Sequence, residues 1–196
     1  QLIKEEPKYS RAHYFKGIAC LGKGEVQIAK SALGKSVELD PKNLKAKILL
    51  AEIYLRERDF GLAQKESEEI LALDPENYQV LLILGNAYMY QKKVDKAQET
   101  FEKLTKMAPD NPAGYFRLGL LQRLLKKHDL ALANFKKAIS INPRLIDVFT
   151  NIVALHAEKK DFNTAIKLCD KQMEIYKEVP TLLAIVHNLK GGLYLA

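Results

Sequence analysis

The chain has 196 residues and a net charge of +7, from 31 Lys plus Arg against 24 Asp plus Glu, and it is 47% hydrophobic with two Cys and no Trp. That apolar share excludes intrinsic disorder, two cysteines exclude a disulfide-stapled mini-domain, and no apolar run reaches the roughly 18 residues of a membrane span. The positive excess is mostly Lys scattered along the chain, without the Arg forks and aromatic platforms of a nucleic-acid face, so no nucleic-acid partner is expected.

Read in chain order, apolar residues recur at three- and four-residue spacing in paired stretches, the pattern of amphipathic helices. The first pair runs from Ser10 through a polar turn at Gly22–Glu25 to Pro41. The second runs from Leu44 through Arg56–Asp59 to Pro75, and the third from Tyr78 through Gln91–Lys93 to Pro109. The fourth runs from Pro112 through Lys126–His128 to Pro143, and the fifth from Ile146 through Glu158–Asp161 to Pro180. Asp95, Asp129 and Asn163 sit where N-caps of second helices are expected. No stretch alternates with strand periodicity between hairpin turns.

Pro7, Pro41, Pro75, Pro109 and Pro143 are spaced 34 residues apart, a repeat signal. With proline as position 32, units begin at Ser10, Leu44, Tyr78, Pro112 and Ile146, giving repeats 10–43, 44–77, 78–111, 112–145 and 146–179. Residues 1–9 read as the tail of a preceding unit, and 183–196 as the start of a truncated sixth. The chain opens at Gln1 without an initiator Met and stops within a helical pattern, so a piece of a longer protein is expected. Position 20 is Ala29, Ala63, Ala97, Ala131 and Ala165. Position 8 is Gly17, Ala51, Gly85, Gly119 and Val153; position 24 is Leu33, Ser67, Phe101, Phe135 and Cys169. Small residues at positions 8 and 20 let two helices approach closely, and proline at position 32 stops the second helix.

These positions resemble the tetratricopeptide repeat (TPR) across essentially the whole chain. The third unit is the clearest copy, with Leu84-Gly85, Tyr88, Ala97, Phe101 and Pro109 on the family positions. The first departs at Lys16 and Cys20, and the fifth at Val153 and His156. The resemblance implies an all-α, right-handed solenoid of antiparallel helix pairs, forming a single array over 1–196. It further implies a non-catalytic scaffold that binds a protein or peptide along the wall made by the first helices. Carried onto this sequence, the groove positions are Arg11, Tyr14, Phe15, Ile18 and Leu21; Lys45, Ile48, Leu49, Glu52, Leu55 and Arg56; Gln79, Leu82, Ile83, Asn86, Met89 and Tyr90; Phe116, Arg117, Leu120, Arg123 and Leu124; and Asp147, Thr150, Asn151, Ala154 and Glu158. The two-carboxylate clamp of chaperone-binding relatives is absent, because Asn86 and Arg117 are isolated matches.

A narrower likeness, in His13–Leu21, Leu44–Leu55 and His187–Ala196, is to long TPR lipoproteins of bacterial PEP-CTERM/exosortase systems. It implies an envelope-anchored protein in the periplasm and an exopolysaccharide-related assembly; otherwise the expected compartment is cytoplasmic. The alternatives are a structural spacer or the regulatory arm of a larger multidomain protein.

Chemistry is not expected. The phosphate-loop imitation at Gly17–Gly24 has Gly24 where a hydroxyl is required, that at Gly34-Lys35-Ser36 has Ala29 for the first glycine and lies in a helical pattern, and neither follows a strand. His13, His128, His156 and His187 fall in separate units without paired ligand spacing, so neither a metal nor another cofactor is implied. Cys20 and Cys169 lie four units apart, about 35–40 Å at roughly 10 Å per unit, and cannot pair. At the C-terminal end Leu182, Leu183, Ile185, Val186 and Leu189 are expected to be uncovered, giving self-association through exposed repeat ends.

Overall fold

The computed structural model describes residues 9–195. Among them eleven α-helices follow one another with no strand. They are α1 (Ser10–Gly22), α2 (Val26–Leu39), α3 (Leu44–Arg56), α4 (Phe60–Leu71), α5 (Tyr78–Tyr90), α6 (Val94–Met107), α7 (Pro112–Leu124), α8 (His128–Ile141), α9 (Ile146–Glu158), α10 (Phe162–Tyr176) and α11 (Pro180–Tyr194). The chain divides into two compact units, Gln1–Thr100 and Phe101–Ala196, with the boundary inside α6. Pro7 and nearly all of the expected leading tail lie outside the described residues.

Each turn within a helix pair is built the same way. One residue adopts a left-handed backbone: Gly24 (φ 77°), Arg58 (65°), Lys92 (61°), Lys126 (58°) and Lys160 (57°), again 34 apart. The next N–H then reaches back to the helix it leaves, from Glu25 to the Cys20 carbonyl at 2.9 Å, and likewise from Asp59 to Tyr54 and from Lys127 to Gln122, each at 2.8 Å. This 6→1 bond is the Schellman motif, which satisfies a carbonyl that the helix end would orphan.

Capping differs from the sequence expectation. Asp95 and Asp129 lie inside the first turns of α6 and α8, and Asn163 lies inside α10. The side chains that accept a first-turn N–H are Asp59 (from Leu62, 3.2 Å) and Asp161 (from Thr164, 3.3 Å). Asn43, Asn77 and Asn111 do so before the first helices, bonding Ala46, Val80 and Ala113 at 3.2, 3.1 and 3.0 Å. The Schellman turn explains the shift. It ends one helix and starts the next within three residues, so the capping position is the residue directly after the left-handed one in Asp59 and Asp161. Pro180 also behaves differently from Pro41, Pro75, Pro109 and Pro143: like Pro112 in α7, it occupies the first turn of its helix, where its missing N–H is harmless.

The position-20 alanines are all fully buried. Opposite them, positions 8 and 24 trade volume. Gly17 faces Leu33 and Gly119 faces Phe135, while the buried pairs Ala51 with Ser67 and Val153 with Cys169 combine a larger residue at position 8 with a smaller one at 24. A close-packed interior requires that compensation, since neither a void nor an overlap is tolerated there.

In the first unit, Leu33 of α2 packs with Ala46, Leu50 and Ile53 of α3, and Ala51 and Ala63 pack with Ile83 and Ala87 of α5. In the second, Ala131, Phe135 and Ala138 of α8 meet Val148, Ile152 and Leu155 of α9. Phe149, Val153, Cys169 and Tyr176 then meet Val186 and Leu193 of α11. This corrects the expected uncovered C-terminal face. Val186 is fully buried and Leu182, Leu183 and Leu189 pack against the same core, leaving Ile185 at 40% exposure.

Candidate interaction surfaces

The first helices of the pairs carry most of the residues expected to contact a partner, and among the described residues a cleft opens on them in each unit. In the first unit a cleft of about 700 Å³ is lined by Tyr9, Ser10, Arg11, Tyr14, Phe15 and Ile18, and by Asp40, Lys42, Asn43, Leu44 and Lys45. Ser10 anchors its floor, with its hydroxyl 2.9 Å from the Ser36 carbonyl and 3.0 Å from the Ser36 hydroxyl. Asn43 donates to the same Ser36 hydroxyl at 3.1 Å, which ties the α3 cap to α2. Tyr14 and Phe15 have ring centroids 5.4 Å apart, and the Arg11 guanidinium lies 5.8 Å from the Phe15 ring.

In the second unit a cleft of about 670 Å³ is lined by Leu120, Arg123, Leu124, Lys126, His128 and Glu158. Arg123 is held from two sides, donating to Asn151 Oδ1 at 2.7 Å and to Glu158 Oε1 at 2.5 Å. Glu158 also faces His128 Nδ1 at 3.5 Å. Leu124 beside them is 64% exposed. Lys159 bonds the Asp129 carboxylate, which holds that carboxyl below its usual range.

The expected groove residues therefore separate by exposure. Tyr14 and Ile18 line the first cleft, and Leu120 and Arg123 the second. Leu21, Ile48 and Leu55 are half-buried against the core of the first unit, and Phe116 rests on Phe135 at 5.9 Å between centroids. Glu52 accepts from Gln79 at 2.7 Å, Leu82 is half-buried, and Arg117 stacks over Phe116 at 5.6 Å. Asn86 and Met89 are buried, at 5% and 8% exposure, and present no surface. Tyr90 is 55% exposed and stacks on Phe60, with centroids 4.9 Å apart. Lys42 and Asn43 were not singled out by repeat position, because they belong to the turn after Pro41 rather than to a first helix. The signal that marks them is the unit-to-unit turn itself, which abuts the start of α3.

His128 lines the second cleft, whereas Cys20, Cys169 and His156 line neither. Burial pushes the Cys169 thiol up to about 11, with Asp170 adding to the effect, and burial likewise raises Cys20. Both cysteines are free. His156 is buried, with Nδ1 3.0 Å from Asp161. Gly34, Lys35 and Ser36 lie inside α2, where a backbone cradle for phosphate cannot form. Among the described residues no three His, Cys, Asp or Glu side chains gather as a metal site, and no helix is long and apolar enough to cross a membrane.

Tetratricopeptide-repeat family models match residues 10–43, 55–124 and 112–145. Among solved structures, the chain is similar to MamA (41-end) of Desulfovibrio magneticus RS-1, with 18% identity, a TM-score of 0.75, and coverage of 87% of this chain and 96% of that one. A thermophilic TPR protein of Thermus thermophilus matches with 16% identity and a TM-score of 0.72, over 92% and 98% of the two chains. YrrB, a TPR protein with an unusual peptide-binding site, matches with 19% identity and a TM-score of 0.65, over 93% and 94%. No curated protein sequence matches the chain. The 34-residue register of turns, alanines and prolines, the matching family models and these structural neighbours together make the chain a member of the tetratricopeptide-repeat family, with the all-α TPR solenoid as its fold.

Proposed function

We infer that the protein is a non-catalytic interaction scaffold that binds a protein or peptide on the faces of its first helices. The observation that carries this reading is the exposure of large apolar and aromatic side chains beside the two clefts: Phe15 at 55%, Ile18 at 40% and Leu124 at 64%. Side chains of this kind, grouped around a concavity and rimmed by charge, mark interaction sites more often than bare solvent-facing surface. The peptide-binding site of YrrB, on a related fold, supports the same direction. In its finer form the reading places the partner in a bacterial envelope assembly, following the likeness to envelope TPR lipoproteins.

Affinity capture from the native lysate tests it, comparing the chain with an Ile18→Glu, Tyr90→Glu, Leu124→Glu variant. These side chains are exposed, so the variant is expected to keep its circular dichroism spectrum. A protein captured by the native chain and lost with the variant supports the scaffold. Identical capture by both, or none by either, overturns it in favour of a spacer or regulatory arm. A lipid-anchor signal in the parent reading frame is the corresponding check on the envelope assignment.

A further inference from the structure

We propose that the cleft between α1 and the start of α3 is a docking site for an acidic, aromatic-bearing peptide segment, recognised through carboxylate side chains rather than through a chain-end carboxylate. The proposal deepens the scaffold reading and rests on it.

The charge of the cleft is unbalanced. Arg11, Lys42 and Lys45 line it, and none of them has an ion-pair partner among the described residues. The carboxylate that shares the lining, Asp40, already accepts the Lys42 backbone N–H at 3.1 Å. Elsewhere in the first unit Lys30 pairs with Glu57 at 2.6 Å, Lys35 with Glu38 at 2.6 Å and Lys47 with Glu69 at 2.5 Å, so what sets this cleft apart is that its three cations gather around one concavity. Three unpaired cations around one concavity sum to a positive potential that low-dielectric walls focus.

Both helices that open into the cleft add to this potential. The N-terminal end of a helix carries partial positive charge and favours acidic residues in its first turn. The first turns of α1 and α3 hold none, and place Arg11 and Lys45 there instead. Asp95, Asp129 and Asp147 occupy the corresponding places in α6, α8 and α9, while α2, α4, α5, α7, α10 and α11 also hold no acid there, so the distinguishing feature of this cleft is that two helix starts bring cations to it. Cations at these two helix starts work against folding, and an external anion would relieve both at once.

The floor supplies the second half of the specificity. Tyr9 at 44%, Phe15 at 55% and Ile18 at 40% exposure present apolar surface between the charges. Arg11 already lies over the Phe15 ring. A simple anion would leave that surface wet, whereas a segment with acids flanking an aromatic side chain satisfies both.

Fluorescence anisotropy tests the assignment, using a labelled, C-terminally amidated peptide of alternating Glu and Phe. Glu–Ser and Lys–Phe peptides of equal length serve as comparisons. The expected result is binding of the Glu–Phe peptide, weaker binding of Glu–Ser and none of Lys–Phe. An Arg11→Ala, Lys42→Ala, Lys45→Ala variant should weaken binding by at least about tenfold, and Phe15→Ala should weaken it further. A Lys136→Ala, Lys167→Ala, Lys171→Ala variant removes the same charge from exposed positions of the second unit and should stay within about twofold.

No binding of the Glu–Phe peptide overturns the proposal. So does an equal loss in the two triple variants, which would mean bulk charge, or equal binding of Glu–Ser with no effect of Phe15→Ala. If the peptide fails while the captured partner still depends on the exposed first-helix residues, the scaffold reading survives and the cleft assignment alone falls.

Discussion

Gly119 of α7 lies so close to the Phe135 ring of α8 that a Cβ on the glycine would stand 2.6 Å from both Cδ1 and Cε1. Phe135 is fully buried in the core it shares with α9 and cannot swing outward. The pair is therefore a size match across one helix crossing, as Gly17 and Leu33 are in the first unit, where the corresponding approach is 2.6 Å to Cγ.

Gly119→Ala is expected to destabilise the protein by about 1–3 kcal/mol, the range for overpacking a tight core. Adding Phe135→Leu should recover part of that loss, because a shorter side chain makes room for the methyl. Urea unfolding of the two single variants and the double variant measures the coupling. Strict additivity would show that the two positions do not share the space.

The left-handed turn residues suggest a gain. Lys160 adopts φ 57°, a region that disfavours a side chain and is open to glycine. Lys160→Gly should raise stability by about 0.5–1 kcal/mol, and Gly24→Ala, at φ 77°, should lower it by about 1 kcal/mol. Unfolding midpoints for the two variants should move in opposite directions.

Asp161 gives a pH-dependent contribution. Its hydrogen bond from Thr164 at the start of α10, with a second contact to His156, holds its carboxyl below the ordinary 3.8. A lowered carboxyl pKa stabilises the fold above the unfolded value and is lost as pH falls through the folded value. Asp161→Ala should therefore unfold at lower urea than the native protein near neutrality. The difference should close once the pH lies below the folded value. Asp161→Asn, which can still accept from Thr164, should lose less at neutral pH.

The thiols should be inert in the folded state. Cys169 is fully buried with its pKa at about 11, so the reactive thiolate is scarce at neutral pH and reagent access is closed. Iodoacetamide should label it slowly in the native protein and rapidly in urea. Fast native labelling would mean that α10 and α11 separate readily.

The sequence alone was enough to determine the repeat. Pro41, Pro75, Pro109 and Pro143 mark the turns after the second helices, and all five position-20 alanines are fully buried. These features are legible because they arise from neighbours within one helix pair, where spacing along the chain translates directly into geometry. The caps were less so. Asp95, Asp129 and Asn163 have suitable chemistry, yet the left-handed turn residue decides the capping position, and Arg and Lys at four of those sites give no glycine-like warning.

Only the tertiary structure decided which apolar residues face solvent. Asn86 and Met89 carry the same repeat positions as exposed groove residues in the family, but they are buried here, and Val186 is covered by the core of the second unit. The first cleft combines α1 with a turn and a helix start some 30 residues later in the chain, and the second combines α7 with the end of α9. Periodicity reports which side of a helix is apolar. Exposure depends on what a later pair places against that side, and that is settled by packing between units of sequence rather than by the pattern within one.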